Sequence, residues 1–181
     1  MNSHIGHVRD FLFEGYFLED LNSIVNKLDR TQINGNGHCG YVAVQIIVAG
    51  MECLGFIASG GEKDERAFYY YYDNYFSKVD ERYKNENLKK LFRNALRNGT
   101  AHYFFTKAGI LITLNENQLG HLSLYKGNIN ITVSKFYEDF LESYNLFRPE
   151  WDDFEKGCKA IMEDINKGQN YVDTYIKSLG Q

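Results

Sequence analysis

The sequence predicts a mainly α-helical bundle of roughly four to six helices with a small antiparallel β segment at about residues 108–134. Three observations predict it. Apolar residues recur at three- and four-residue intervals on both sides of that segment. A single proline, Pro149, leaves long stretches free to wind as helix. Between about 108 and 134 the pattern changes to short apolar runs parted by turn residues.

The elements follow in order. Phe11, Leu18, Leu21, Val25 and Leu28 mark an amphipathic helix from about Val8 to Arg30. Ile33 to Gly40 is a glycine-rich break, and Tyr41 to Ser59 reads as a second, more buried helix. Gly60-Gly61 ends it, because glycine accepts the left-handed conformation of a helix stop. Glu62, Asp64 and Glu65 suit the first turn of a third helix, where the dipole favours anions. That helix carries Phe68 to Phe76 and is expected to run to about Arg82. Tyr69 to Tyr72 cover every face of it, so some belong to the core. The rest suit a dimer interface or a base-stacking surface. Leu88 to Asn98 is a fourth helix, with Gly99 as its stop. Ile110–Leu114, Leu122–Tyr125 and Asn130–Val133 look like strands. Ser134 can cap the next helix, and after Pro149 a last one is expected from about Glu150 to Ser178.

Composition sets the class. At 181 residues and 44% apolar, residues 1–181 form a single domain with a proper core. Cys39, Cys53 and Cys158 are odd in number and widely spaced. They read as reduced thiols of a cytoplasmic protein, not as a disulfide framework or a zinc site. The first residues lack a basic region followed by an apolar run, so no signal peptide is expected. The longest apolar run, Tyr41 to Cys53, is interrupted by Gln45, Gly50 and Glu52 and reads as too short and polar to span a bilayer.

The stretch from Leu91 to His102 carries the chemistry. Arg97, Asn98 and His102 put a permanent cation, an amide and a titratable imidazole within six residues. Those groups can hold a phosphodiester and move protons beside it without a metal or other cofactor. From Asn87 to Asn115 there is no carboxylate, while Lys89, Lys90, Arg93, Arg97 and Lys107 fall inside the window. The chain is net −4, so the remainder carries −9, and a basic island on an acidic protein points to a local anion site. Arg93 and Arg97 are four apart and share a helix face. His102, five past Arg97, would sit about 140° away on a continuous helix, so the helix is expected to break near Gly99. Glu52, the one acid in a buried-looking helix, could pair with Arg93 or Arg97.

Arg97-Asn98-x-x-x-His102 resembles the signature of the HEPN superfamily: Arg, four to six residues, then His, often with a polar residue after the Arg. The resemblance implies a small, usually dimeric helical bundle. It also implies a metal-independent endoribonuclease of the kind found in toxin and phage-defence systems, with RNA or a nucleotide as ligand. A cognate antitoxin or other protein partner would fit that setting, and no membrane is implied. On that basis the catalytic residues are Arg97, Asn98 and His102, with Lys89, Lys90 and Arg93 adding phosphate-binding charge. Two motifs apposed across a homodimer would supply both an acid and a base. A non-catalytic relative that binds a nucleotide or protein is the alternative.

A second motif lies at Gly35-Asn-Gly-His-Cys-Gly40. It fits G-x-G-x-x-G but lacks the preceding strand that a dinucleotide site requires. The same turn is similar to the nucleophile turn of ovarian-tumour-type cysteine proteases, in which Cys39 would be the nucleophile and His121 its base. Asn36 stands where that family has an Asp, and Leu122 where it usually has an aromatic.

Overall fold

The computed structural model describes residues 3–27, 40–63, 65–99, 106, 109–114 and 119–179. Those residues form a mainly helical bundle with a small three-stranded sheet at one side.

Helix α3 (Gly40–Ala58) is the axis of the bundle. Ala43, Val44, Ile47, Met51, Leu54 and Ile57 are each 0% exposed, and helices on several sides pack against it. Its length of 19 residues and mean hydropathy of 1.9 are enough to cross a membrane by length and composition, a longer apolar stretch than Tyr41–Cys53 alone. Half of it is buried inside the fold, as expected of a helix with neighbours on opposite sides. Two glycines let those neighbours approach backbone to backbone. A Cβ at Gly55 would overlap the Ala67 carbonyl oxygen of α4 (Glu65–Asn74). One at Gly157, near the start of the last helix, would overlap the carbonyl oxygen of Ile57.

The first helical arm begins earlier than its apolar stripe suggested and changes winding. A short α1 (Ser3–Gly6) leads into a π-wound segment, His7–Leu18, and then α2 (Glu19–Lys27). Phe13 from this arm stacks on Phe17 and packs against Tyr144 and Trp151.

The third helix is shorter than expected. It stops at Asn74, and short 3-10 turns, Phe76–Lys78 and Glu81–Lys84, carry the chain onward. Asp80 causes the second restart: in extended conformation, its carboxylate accepts the backbone N–H of Arg82. The aromatic run is core. Phe68, Tyr71, Tyr72 and Phe76 are 0% exposed, and among the four tyrosines only Tyr70 is exposed. The buried hydroxyls are satisfied within the chain, Tyr71 with Ser143 and Tyr72 with the Tyr83 carbonyl. These rings therefore present no stacking face.

Helix α5 (Glu86–Leu91) is capped by Asn85, whose side chain accepts the N–H groups of Asn87 and Leu88. It runs straight into a π-wound segment, Phe92–Arg97. The sheet comprises β1 (Ile110–Thr113), β2 (Leu124–Tyr125) and β3 (Asn128–Thr132) in the order β1-β3-β2. It is mixed rather than antiparallel. β2 and β3 form the expected hairpin, turning through Lys126 (φ 48°) and Gly127 (φ 76°). β1 instead pairs parallel to β3, Ile110 opposite Ile129. The chain returns between them, and Asn130 ties that return down by donating to the carbonyls of Leu119 and Gly120. Helix α6 (Val133–Phe147) follows directly from β3, and α7 (Glu155–Leu179) closes the described chain.

Candidate functional site

The winding of Phe92–Arg97 decides which side chains meet. In a π-wound helix the backbone bonds run from residue i to i+5, so side chains five apart, about 140° apart around an α-helix, come near enough to meet. Arg93 and Asn98 are five apart, and the Arg93 guanidinium donates to the Asn98 side-chain oxygen. That same oxygen accepts from Arg97 Nη1 at 3.2 Å. Arg97 in turn makes a two-point pair with Glu52 of α3, Nε to Oε2 at 2.7 Å and Nη2 to Oε1 at 2.6 Å. The Glu52 and Arg97 side chains are each 20% exposed. Both groups are thus fixed at the edge of the core with a planar, directional bond.

Three of the sequence-predicted site residues, Arg93, Arg97 and Asn98, come together here. Lys89 lies apart and donates to Asp73 at 3.0 Å and Glu86 at 2.9 Å, while Lys90 is exposed. The carboxylate-free window of sequence is therefore not carboxylate-free in space: Glu52, Asp73 and Glu86 close on it. His102 lies outside the described residues, as does Lys107; the helix is described through Gly99, so the expected break near it also lies outside them.

The cluster of Glu52, Arg93 and Arg97 carries one net positive charge. Arg93 is 8% exposed, and its Nε is buried without a hydrogen-bond partner among the described residues. A buried guanidinium with an unused donor favours an anion beside it, because desolvation of the cation is then offset. Chemically the arrangement offers positive charge and an amide at one helix end, adjoining the segment that contains His102.

A second polar cluster was not foreseen. His121, which is 3% exposed, accepts the Thr132 N–H on Nδ1 at 3.0 Å. Its ring proton therefore belongs on Nε2, 2.8 Å from the Tyr83 hydroxyl. Tyr83 donates to Asp139 Oδ2 at 2.6 Å, and Lys135 Nζ reaches Asp139 Oδ1 at 2.6 Å. Burial and the adjacent Asp139 push the Tyr83 phenol well above its usual range, so its proton stays in place. Both ring nitrogens of His121 are thus occupied by internal hydrogen bonds. Cys39 and the turn from Gly35 lie outside the described residues. The two remaining thiols are quiet: burial raises Cys53 to about 12 and Cys158 to about 11. The signal for Asp139 was present in the sequence. It is an acid inside the apolar stripe of α6, between Phe136 and Phe140, just as Glu52 is an acid inside the apolar α3.

No family model, no characterised protein and no solved structure matches this chain.

Proposed function

We propose that the chain is a metal-independent endoribonuclease of the HEPN type, acting as a cytoplasmic homodimer. The observation that carries this reading is the Glu52–Arg97–Asn98–Arg93 cluster, a fixed pair of guanidinium groups next to the segment holding His102. Cleavage at a 2′-hydroxyl needs a base for that hydroxyl, an acid for the leaving 5′-oxygen and positive charge on the phosphorane. In this reading Arg97 and Arg93 hold the phosphate and Asn98 orients it. His102 transfers the proton, and its counterpart in a second copy completes the acid–base pair. A toxin or phage-defence setting, with a cognate protein partner, suits such an activity.

The two-point Glu52–Arg97 pair favours a second reading, a non-catalytic module of the same kind that binds a nucleotide. An arginine already facing a carboxylate is held in place more than it is offered to a substrate.

The test is cleavage of single-stranded RNA with chelator present. The parent protein should cut RNA and spare a substrate whose 2′-hydroxyls are replaced by hydrogen. His102→Ala should abolish cleavage. If His102→Ala cuts as fast as the parent, the catalytic reading fails. If neither cuts and both bind nucleotide, with affinity falling on Arg97→Ala, the binding module takes its place.

A further inference from the structure

Helix α7 begins in the core and leaves it. Cys158 is fully buried, Ile161 and Met162 still pack against the core, and every residue from Glu163 to Leu179 is exposed. That projection is about 25 Å long at 1.5 Å per residue. It is not polar all round. Ile165 is 50% exposed, Val172 49%, Tyr175 63% and Leu179 67%. With Ile161 and Gly168 these residues fall at alternating four- and three-residue steps, the spacing of a coiled-coil seam. Met162 and Ile176 widen the stripe on one flank and Tyr171 on the other. A lone helix of this length is marginal in water, and an apolar stripe along it asks for a cover.

We infer that the projecting half of α7 pairs antiparallel with the same segment of a second copy of this chain. The argument is self-complementarity, which a two-fold interface requires: if residue i meets j, then j meets i. A two-fold placed at Asn170 matches every seam position with another seam position. Ile161 meets Leu179 of the second copy, Ile165 meets Tyr175, and Gly168 meets Val172, a gap facing a side chain. On the flanks Met162 lies within one turn of Ile176 of the second copy, and Tyr171 within one turn of its own counterpart. The helix dipoles select the direction, since they oppose only in the antiparallel arrangement. The polar face holds Glu163, Asp164 and Asp173 against Lys167 and Lys177, one net negative charge, which suits an anionic lipid surface poorly.

This inference uses none of the anion-site residues, so the failure of the ribonuclease reading leaves it standing. The test is sedimentation of the full chain at micromolar concentration, with single-cysteine variants in a Cys39→Ser background. The parent should sediment as a dimer. Val172→Glu should weaken it by roughly a hundredfold or more, since each copy would bury an unpaired charge. Its circular dichroism melting transition for the domain should stay in place, because Val172 lies outside the core. Tyr171→Cys should form a disulfide-linked dimer on mild oxidation, and Leu179→Cys should not. A monomeric parent overturns the proposal, whether or not it co-sediments with phosphatidylcholine vesicles. So does a dimer unaffected by Val172→Glu, or one in which Leu179→Cys cross-links in place of Tyr171→Cys.

Discussion

The molecule holds two buried polar clusters, and they differ in closure. In the first, Tyr83, His121, Asp139 and Lys135 form a chain of hydrogen bonds of 2.6 to 3.0 Å. Tyr83 and Asp139 are 0% exposed and His121 is 3%. In the second, Glu52, Arg97 and Asn98 are partly exposed at one side of the buried Arg93, whose Nε has no hydrogen-bond partner among the described residues. Both use an acid set into an apolar helix stripe. The first uses it to lock the sheet to the bundle, joining β3 to α6 and to the 3-10 turn that carries Tyr83. The second uses it to hold a cation in a chosen orientation at the rim. A closed network is best explained by stability, whereas a cluster with a donor unspent is suited to receiving something.

Substitutions should separate the two roles. Asp139→Ala should have the largest effect on stability, about 2–4 kcal/mol, because it strands the Tyr83 hydroxyl and the Lys135 ammonium together. Denaturant unfolding measures it, and a loss under about 1 kcal/mol would mean that the network contributes little. Tyr83→Phe should cost about 1–3 kcal/mol, since His121 Nε2 and Asp139 Oδ2 each lose a partner while the ring still fills its place. Glu52→Gln should cost about 1–2 kcal/mol, less than Asp139→Ala, because its pair is partly exposed. It should also tighten binding of inorganic phosphate or a nucleotide, by releasing Arg97 from its carboxylate. Weaker anion binding in Glu52→Gln, read by calorimetry, would instead assign Glu52 to positioning Arg97.

The smallest effect is a pH dependence outside both clusters. Arg82 beside Asp80, bonded at 2.6 Å, holds that carboxyl down at about 2. A depressed carboxyl stabilises the fold above its unfolded value of about 4, and that contribution is lost as pH falls from there through the folded value. Asp80→Asn should therefore flatten the acid limb of the stability curve by less than about 1 kcal/mol, since Arg82 is half exposed. An unchanged acid limb would leave the Asp80–Arg82 pair without a measurable role.

The elements visible in the sequence were those whose cause is local. Gly60-Gly61 and a long, mostly apolar run bounded α3 to within a residue at each end. Glu52 stood out because a lone acid in such a run needs a partner, and Arg97 is that partner. What lay out of reach was nonlocal or a matter of winding. Period-two alternation marks a strand but carries no direction, so the parallel pairing of β1 with β3 could not be read. Tyr83, His121 and Asp139 lie 38 and 56 residues apart along the chain and share no motif. The early stop of α4 had a signal in Asp80, a good capping residue followed by a short polar run, but the aromatic stretch before it outweighed that.

The extra-wide turn at Phe92–Arg97 makes the Arg93–Asn98 contact depend on winding as well as on residue identity. Such a turn holds one residue more than an α-helix needs over the same rise. Wound as an ordinary α-helix, the same residues would set Arg93 and Asn98 about 140° apart around the axis. Arg93 would then face away from the amide it now donates to, although every polar group remained present. Winding, rather than composition, is the quantity that this corner of the protein preserves.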